Sequence, residues 1–376
     1  MSKEKKYCVG CGIELQGEDK NRAGYLPQSV LDKNEKEKHL YCQRCFKIKN
    51  YGEYIPVEMT REDYRNEIKR MLPEADVAIA VFDIIDFEGS FDDEILDILR
   101  EMDSIVVVNK IDLVPDDKHP SEISDWVKNR LAEEGIAPLD IAIVSSKRAY
   151  GTSGIFKKIN YFYPKGAKAL VLGVTNVGKS SIINRLIGKN IATISKYPGT
   201  TLKSTKKALT NANITLIDTP GLIPKGRFSD LVCEKCNLDI VPAGEISRKT
   251  YKEGKDRVIF IGGMVKLKIS DIEELRPIFS VYASKNVTYH DTNLEKAEEM
   301  EKENRTDLFS PPCKDCIDEY RKEKIVTEEF TIETGEELVF KGLGWISVKR
   351  GPLNVEITYP EKGEIIIRDA FISPKR

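Results

Sequence analysis

The octapeptide Gly173–Ser180, with the sequence GVTNVGKS, limits the possible folds of this chain more than any other feature. It fits the phosphate-binding pattern GxxxxGK followed by Ser or Thr. It follows the apolar run Ala167–Leu172 and opens the amphipathic run Lys179–Ile187. This order predicts the strand–loop–helix setting that the pattern requires. Glycines there let backbone N–H groups surround a phosphate at the positive end of a helix. An α/β layer with a mostly parallel sheet is therefore expected.

The same alternation extends over the region from residue 58 to residue 228. Runs rich in Val, Ile and Ala are predicted as strands and amphipathic runs as helices, which together indicate a doubly wound sheet. The predicted strands are Asp76–Phe82, Ser104–Val108, Asp140–Val144, Ala167–Leu172 and Ile214–Ile217. The predicted helices are Arg61–Leu72, Phe91–Glu101, Ser121–Gly135, Ser153–Phe162 and Lys179–Ile187.

A phosphate and Mg²⁺ site is predicted around this loop. Lys179 is expected to reach the β- and γ-phosphates, and the Ser180 hydroxyl to bind Mg²⁺. Asp218-Thr-Pro-Gly221 ends another apolar strand, so its carboxylate can hold Mg²⁺ through water and its glycine N–H can contact the γ-phosphate. The predicted catalytic residues are Lys179, Asp218, Gly221 and Thr201, the last also as an Mg²⁺ ligand. The nucleotide-binding residues predicted in the loop are Gly173, Thr175, Asn176, Val177, Gly178, Lys179, Ser180 and Ser181.

The base-binding residues are predicted at two other strand ends. Asn109-Lys110-Ile111-Asp112 follows one strand, and the Asp112 carboxylate can accept two hydrogen bonds from guanine. Adenine lacks that donor pair and would leave the carboxylate unpaired. Ser145, Ser146 and Lys147 follow the next strand and are expected to cover the base. Each motif alone has a simpler reading as a helix cap, but together they predict a site for GTP and GDP.

The order of these motifs is unusual. NKID (109–112) and SSK (145–147) precede the phosphate-binding loop, and DTPG (218–221) comes last. The chain therefore resembles a circularly permuted GTPase, and with its leading CVGC and CQRC and its β-rich tail it is similar to the YqeH type over essentially its whole length. The resemblance implies GTP hydrolysis in assembly of the small (30S) ribosomal subunit, with rRNA or ribosomal proteins as partners. An open parallel sheet tolerates the permutation, because its ligand loops share one edge whatever the chain order.

Two residues bear on the rate of hydrolysis. Leu222 stands where many small GTPases place a Gln that orients the attacking water, so slow intrinsic turnover is expected. Asn176 resembles the Asn of potassium-activated GTPases, which predicts a K⁺ ion beside the phosphates. The alternative is that Asn176 only tolerates a tight loop conformation.

All eight cysteines fall in CxxC pairs, the spacing of zinc knuckles. One closed structural Zn²⁺ site is predicted from Cys8, Cys11, Cys42 and Cys45. A redox role for a single pair is the alternative, and His39 is a less favoured substitute ligand. A second Zn²⁺ site is predicted from Cys233, Cys236, Cys313 and Cys316. Four free thiols or two unrelated turns are the alternatives there, and the YqeH resemblance does not require this second site.

Three domains are expected in the 376 residues. Residues 1–57 are predicted to form a zinc-binding module, 58–228 the permuted GTPase domain, and 229–376 a β-rich domain that binds RNA or protein. The strands predicted in the last domain are Arg257–Lys268, Ile278–Thr288, Thr327–Ile332, Glu337–Phe340, Gly344–Lys349, Asn354–Tyr359 and Glu364–Arg368, with one helix at Leu294–Asn304.

The net charge of −2 excludes a basic nucleic-acid coat over the whole surface but not local patches. One patch combines Arg44, Phe46, Lys47, Lys49 and Tyr51. The segment from residue 185 to residue 217 contains no acid and six cations: Arg185, Lys189, Lys196, Lys203, Lys206 and Lys207. These patches modestly favour rRNA phosphate contacts over solvated surface. No apolar run approaches the ~18 residues of a membrane span, and the charged start is unlike a secretory signal, so a cytoplasmic location is expected.

Two functions are compatible with these features. The first is a GTP-hydrolysing switch that binds pre-ribosomal RNA or protein and leaves on hydrolysis. The second is a zinc- and RNA-binding scaffold whose nucleotide pocket senses GTP and GDP with negligible turnover. Association with ribosomal subunits that depends on the nucleotide would favour the switch over the scaffold.

Overall fold

The computed structural model describes residues 6–20, 23–34, 37, 40–51, 60–114, 118–188, 202–209, 213–241, 246–271, 276–303 and 308–371. These residues divide into two compact units. The first unit comprises Met1–Ile84, Ser90–Asp112 and His119–Pro224, and the second comprises Ile85–Gly89, Leu113–Lys118 and Lys225–Arg376.

The first unit is built on a six-stranded sheet with the strand order β3-β2-β1-β4-β6-β5. Its strands are Val77–Asp83 (β1), Ser104–Asn109 (β2), Asp140–Ile143 (β3), Ala167–Leu172 (β4), Thr205–Leu209 (β5) and Ile214–Asp218 (β6). All neighbours are parallel except β5, which pairs antiparallel with β6. Every residue of β1 and β2 is buried, as expected for central strands covered on both faces. The predicted doubly wound α/β sheet is confirmed.

The helices before β5 in the described chain are Gln28–Lys33 (α1), Gln43–Tyr51 (α2), Arg61–Met71 (α3), Phe87–Ser90 (α4), Asp93–Glu101 (α5), Pro120–Glu133 (α6), Thr152–Phe162 (α7) and Lys179–Ile187 (α8), with 3-10 turns at Leu72–Glu74 and Ile111–Leu113. Local chemistry sets where they begin. Thr60 and Asp63 form a reciprocal capping box at the start of α3. The Asp92 side chain accepts from the N–H of Glu94, so α5 begins two residues later than predicted.

The second unit contains two five-stranded antiparallel sheets. Their orders are β16-β13-β14-β10-β7 and β11-β8-β9-β15-β12. The strands are Ile246–Tyr251 (β7), Arg257–Ile261 (β8), Val265–Asp271 (β9), Ile278–Ser284 (β10), Tyr289–Asn293 (β11), Ile325–Ile332 (β12), Glu336–Phe340 (β13), Gly344–Arg350 (β14), Leu353–Pro360 (β15) and Ile365–Asp369 (β16). The helices are Glu234–Ile240 (α9), Leu294–Lys302 (α10) and Ile317–Tyr320 (α11), and Phe228–Leu231 is a 3-10 turn.

One apolar core joins both sheets of the second unit. It includes side chains from each sheet, such as Phe279 and Val355. Among the residues outside the strands, Phe228, Ile240 and Tyr320 are also buried in this core. The predicted β-rich region is confirmed, although its Arg257–Lys268 segment is a hairpin of two strands, β8 and β9. The segments that carry those three residues are therefore part of the folded domain rather than linkers.

Candidate nucleotide site and cysteine clusters

The phosphate-binding loop has the predicted setting, between the end of β4 and the start of α8. Gly173 has φ +150°, and an added Cβ would lie 2.7 Å from the carbonyl oxygen of Val81. Gly178 has φ +97°, and its Cβ would lie 2.3 Å from Nδ2 of Asn109. Both positions therefore require glycine, because φ is positive and atoms of the neighbouring strands β1 and β2 occupy the space of a side chain.

The Lys179 side chain is folded back over this loop. It is buried, and its Nζ donates to the carbonyl oxygens of Gly173 at 2.6 Å and Val174 at 3.0 Å. A Cβ added to Gly221 would lie 3.1 Å from the same Nζ, so this glycine of the DTPG segment is its neighbour. The fold thus brings together two of the predicted catalytic residues, which are 42 positions apart in the sequence.

Asn109 joins three of the predicted motifs. Its buried side chain donates from Nδ2 to the carbonyl oxygen of Val177 at 2.8 Å and accepts at Oδ1 from the N–H of Ser146 at 3.0 Å. One amide therefore links the NKID segment to the phosphate-binding loop and to the SSK segment. This bracing role was not predicted from the sequence, where Asn109 was assigned only to nucleotide binding.

The Asp112 carboxylate is oriented from the neighbouring loop. Its Oδ1 accepts from the Ser145 hydroxyl at 2.6 Å, and that hydroxyl accepts from the N–H of Arg148 at 2.9 Å. Arg185, on α8, donates to the carbonyl oxygens of Ser146 at 2.9 Å and Lys147 at 3.1 Å. Two hydrogen-bond networks therefore hold the loop that is predicted to cover the base.

The Lys110 side chain is held at the base of the NKID segment. Its Nζ forms an ion pair with Oδ2 of Asp83 at 2.5 Å, at the end of β1. Lys110 has φ +67°, in the left-handed region. The ion pair lies between the ends of the neighbouring strands β1 and β2.

Asp218 ends β6 and is buried with a cation beside it. Lys207, on β5, places its Nζ 2.9 Å from Oδ2 of Asp218, and the two side chains are 9% and 1% exposed. Within the described residues Oδ1 of Asp218 has no hydrogen-bond partner. The ion pair neutralises the carboxylate that is predicted to act at Mg²⁺. Its Oδ1 is suited to bind a metal ion directly or to accept a hydrogen bond from a water bound to that ion.

Leu222 is fixed against the phosphate-binding loop. It forms a parallel bridge with Val174, and the N–H of Thr175 donates to its carbonyl oxygen at 2.8 Å. Its side chain is fully buried. The position that carries a water-orienting Gln in many small GTPases is therefore occupied by an apolar side chain turned into the core.

Some of the residues predicted from the sequence are only half-buried, and others lie outside the described residues. Ser180 and Ser181 are half-buried at the start of α8. Asn176 is half-buried with φ +68°, so the loop conformation alone gives a reason for Asn at this position. Thr201, Lys189, Lys196 and His39 lie outside the described residues.

Several cations of the two predicted basic patches are buried or paired with other groups of the protein. Arg44 is only 6% exposed, so it is not a surface phosphate contact. Arg185 and Lys207 have the partners given above, and Lys206 forms an ion pair with Glu74 at 2.5 Å. Phe46 and Tyr51 remain exposed on α2 with ring centroids 6.1 Å apart. Lys49 is also exposed on α2, and its Nζ donates to the Tyr41 hydroxyl at 3.0 Å.

The first cysteine cluster is a buried tetrad. The sulfurs of Cys8, Cys11, Cys42 and Cys45 all lie within 4.8 Å of one another, and Sγ of Cys11 is 3.8 Å from Sγ of Cys42. Hydrogen bonds with Cys11 chiefly lower the pKa of Cys8 and of Cys42, whereas hydrogen bonds within the tetrad chiefly raise the pKa of Cys11 and of Cys45. The donor set and spacing fit a tetrahedral structural Zn²⁺.

This cluster is packed against the chain that follows the predicted switch threonine. Leu202 is buried with the cluster. The N–H groups of Leu202 and Lys203 both donate to the carbonyl oxygen of Cys11 at 2.9 Å. On the other side, the N–H of Ser204 donates to Oε1 of Glu67 at 2.7 Å. Residues 202–204 are therefore held by the cysteine module and by α3.

The second cysteine cluster lies wholly in the second unit. The sulfurs of Cys233, Cys236, Cys313 and Cys316 also lie within 4.8 Å of one another. The separations are 3.6 Å for Cys233–Cys313, 3.7 Å for Cys236–Cys316 and 3.8 Å for Cys313–Cys316. The fold thus brings together two CxxC pairs that are 76 residues apart, as the sequence predicted.

The sheet order and the position of each loop define the class of protein. Four nucleotide motifs occur at the carboxyl ends of their strands, with NKID and SSK before the phosphate-binding loop in the chain. Residues 58–225 match the family described as RsgA GTPase, and residues 168–302 match the family described as 50S ribosome-binding GTPase. The protein is a circularly permuted GTPase with two Cys₄ clusters and a β-rich C-terminal domain.

Residues 276–371 match the family described as YqeH-like, C-terminal. YqeH of Bacillus subtilis (strain 168) is 31% identical over 375 residues, covering 98% of this chain and 100% of that one. The chain belongs to the YqeH family. It is also similar to ribosome biogenesis GTPase A of Bacillus pumilus (strain SAFR-032), with 28% identity over 236 residues that cover 60% of this chain and 76% of that one.

The crystal structure of GNP-bound YlqF from T. maritima overlaps 44% of this chain and 61% of that one, with 22% identity and a TM-score of 0.31. A likeness of that size carries no argument about function. Among the described residues, no helix combines the length and the apolar character needed to cross a bilayer.

Proposed function

We propose that this protein is a cytoplasmic GTP-driven switch that acts in assembly of the small (30S) ribosomal subunit. The observation that carries the proposal is the bracing of three nucleotide motifs by Asn109, which makes one pocket from loops that are distant in the sequence. Two similarities support a role at the ribosome. One is the match to the family described as 50S ribosome-binding GTPase, and the other is the relative named ribosome biogenesis GTPase A. The choice of the small subunit rests on the resemblance to the YqeH type.

Guanine selection is assigned to Asp112, whose Oδ1 is already held by Ser145. The carboxylate then meets the two guanine donors in a fixed orientation. Because the orientation is set before the base arrives, little side-chain entropy is lost on binding. An adenine base would leave the carboxylate without its partners.

Phosphate binding is assigned to Lys179, Ser180 and the backbone of Gly173–Gly178. In the described conformation Nζ of Lys179 donates to two loop carbonyls, so it exchanges these hydrogen bonds for phosphate oxygens when a nucleotide binds. Mg²⁺ would be held by Ser180 and Thr201, with Asp218 behind it, and would neutralise charge on the β- and γ-phosphates. Gly221, beside Lys179, would place its N–H at the γ-phosphate.

Slow intrinsic hydrolysis is assigned to Leu222, because a buried apolar side chain cannot orient water. This same residue is the observation that favours the alternative, a scaffold that senses GTP and GDP with negligible turnover. A K⁺ ion at Asn176 would supply the missing charge. Turnover should then be faster in KCl than in NaCl at equal ionic strength, and equal rates would remove K⁺ from the proposal.

The first Cys₄ cluster is proposed to hold Zn²⁺ as a structural ion, since four buried thiols leave no open position for catalysis. The face of α2 next to it is proposed to contact rRNA. Phe46 and Tyr51 are 47% and 73% exposed there, and exposed aromatic rings beside lysines suit stacking on unpaired bases.

The test is co-sedimentation with purified 30S and 50S subunits in three conditions: GDP, a non-hydrolysable GTP analogue, and no nucleotide. The switch predicts binding to 30S that depends on the nucleotide. Binding that ignores the nucleotide would favour the scaffold, and binding confined to 50S would refute the small-subunit assignment.

A matched control uses the specificity variant Asp112→Asn, which is expected to prefer xanthine over guanine nucleotides. In that variant the xanthine analogue should restore the binding that the guanine analogue no longer supports. Failure of both analogues to change 30S binding would mean that the pocket does not control the association.

A further inference from the structure

We propose that Cys233, Cys236, Cys313 and Cys316 hold a second structural Zn²⁺, which fastens the segments 225–241 and 308–323 to the β sandwich of the second unit. The proposal does not depend on the proposed function, because all four cysteines lie in the second unit and none belongs to the nucleotide pocket.

The sulfur positions match a zinc tetrahedron. Zn–S bonds of about 2.3 Å in tetrahedral geometry separate the sulfurs by about 3.8 Å. The three measured separations within this cluster are 3.6, 3.7 and 3.8 Å, and the first cluster has the same value, 3.8 Å, between Cys11 and Cys42. A disulfide would bring two sulfurs to about 2.05 Å. The cluster is therefore spaced for an ion at its centre and not for cross-links.

Backbone contacts hold the four sulfurs in this arrangement. The N–H of Cys313 donates to Sγ of Cys236 at 3.1 Å, across the two knuckles. Each knuckle continues into a helix: α9 begins directly after Cys233 and α11 directly after Cys316. An N–H donor to a ligating sulfur is the outer support that metal-binding thiolates usually have.

The helices that the ion would join are short. Helices α9 and α11 have seven and four residues. Isolated helices below ~12–15 residues are marginal in water. The 225–241 segment buries Phe228 and Ile240 in the core, and the 308–323 segment buries Tyr320. Metal–thiolate bonds supply folding free energy at such a place.

The second segment also meets the strands of the sandwich. The N–H of Gly263, in the β8–β9 turn, donates to the carbonyl oxygen of Pro311 at 2.8 Å, and the N–H of Thr288 donates to the carbonyl oxygen of Ser310 at 2.9 Å. Cys313 follows within three residues. An ion bound by Cys313 would therefore join the α9 segment to a loop that is already hydrogen-bonded to the sheets.

The α9 segment carries the first residues of the second unit. The Asn237 side chain donates to the carbonyl oxygen of Ser229 at 2.7 Å. Phe228 packs against Phe340, with ring centroids 6.0 Å apart, and its N–H donates to the carbonyl oxygen of Lys341 at 2.9 Å. In sequence this stretch follows the DTPG segment within ten residues. The proposed ion thus secures the point where the chain enters its β-rich domain.

Metal analysis of the purified full-length protein tests the proposal. It should give two zinc ions per chain, one for each cluster. Cys233→Ser/Cys313→Ser should keep one, and the matched variant Cys8→Ser/Cys42→Ser should also keep one. One zinc in the unmodified protein, or iron in place of zinc, would overturn the proposal.

A second measurement on the unmodified protein covers the case in which the variants do not fold. Alkylation followed by peptide mass spectrometry should show the four later cysteines protected until a strong chelator is added. Amide exchange in 225–241 and 308–323 should then rise, with GDP binding retained. Alkylation of these cysteines before chelation, with the zinc content unchanged, would show free thiols and refute the site.

Discussion

The buried ion pair between Lys207 and Asp218 makes a quantitative prediction. The ammonium and carboxylate are 2.9 Å apart with side chains 9% and 1% exposed. Lys207→Met keeps the apolar stem but leaves the carboxylate buried without its cation. Breaking a buried pair in this way costs about 3–5 kcal/mol. Each kcal/mol lowers the melting temperature of a unit of this size by roughly 2–4 °C. We expect the first unit to melt about 6–20 °C lower without nucleotide.

The neighbouring residue provides the control. Lys206 pairs with Glu74 at 2.5 Å, but these side chains are 49% and 38% exposed. An exposed pair contributes little because water screens it, so Lys206→Met should shift the melting temperature far less than Lys207→Met. The two variants remove the same charge from adjacent positions, so a difference between them reports burial rather than net charge.

The assay is thermal unfolding of the full-length protein followed by circular dichroism, without nucleotide and with Mg²⁺ and a non-hydrolysable GTP analogue. Bound Mg²⁺ brings positive charge to Asp218, so the deficit of Lys207→Met should shrink in the second condition. The double variant Lys207→Met/Asp218→Asn should recover part of the loss, because neither charge remains. Equal shifts for Lys206→Met and Lys207→Met, or additive losses in the double variant, would refute the reasoning.

Three further predictions follow from single contacts. Asp112→Asn should weaken GTP binding by at least tenfold and favour xanthine nucleotides, measured by competition with a labelled nucleotide; an unchanged preference for guanine would contradict the NKID assignment. Leu202→Ala should destabilise the first cysteine module by about 2–3 kcal/mol and speed zinc release to a chelator, whereas the exposed Lys203→Ala should not. Burial raises the pKa of Glu67, but hydrogen bonds from Arg70 and Ser204 outweigh it and leave the pKa lowered. Its stabilising contribution is therefore present above the usual carboxyl pKa of about 4.3 and lost as the pH falls through the lowered value, so Glu67→Gln should flatten the acid side of a melting-temperature profile.

The sequence was enough for the parallel sheet, because apolar runs rich in Val, Ile and Ala alternate with amphipathic runs. The motifs were ambiguous one by one, but together they marked the ends of four strands. The sequence was not enough for β5 or β7. Their sequences, TKKAL and ISRKTY, are polar, and they become strands only by pairing with β6 and β10. Propensity is a weak guide where the neighbouring strand supplies the hydrogen bonds.

The sequence also failed to predict which charged side chains are buried or paired. Lys207 was predicted to be a surface cation because the segment from residue 185 to residue 217 contains no Asp or Glu that could pair with it. Its partner, Asp218, is eleven positions away on the adjacent strand, and only the antiparallel register brings them together. Arg44 was placed on a surface patch for a similar reason, since its burial follows from the packing of the module and not from its neighbours in sequence.

The first cysteine module holds the chain that directly follows the predicted switch threonine. The carbonyl oxygen of Cys11 accepts from two successive N–H groups, those of Leu202 and Lys203, and Glu67 accepts from the third, that of Ser204. Gly12 has φ +74°, and a Cβ there would lie 2.5 Å from the carbonyl oxygen of Lys203, so the contact also depends on a glycine beside the cysteine. Thr201 directly precedes this held segment in the sequence. The three N–H contacts and the buried Leu202 therefore attach residues 202–204 to the cysteine module and to α3.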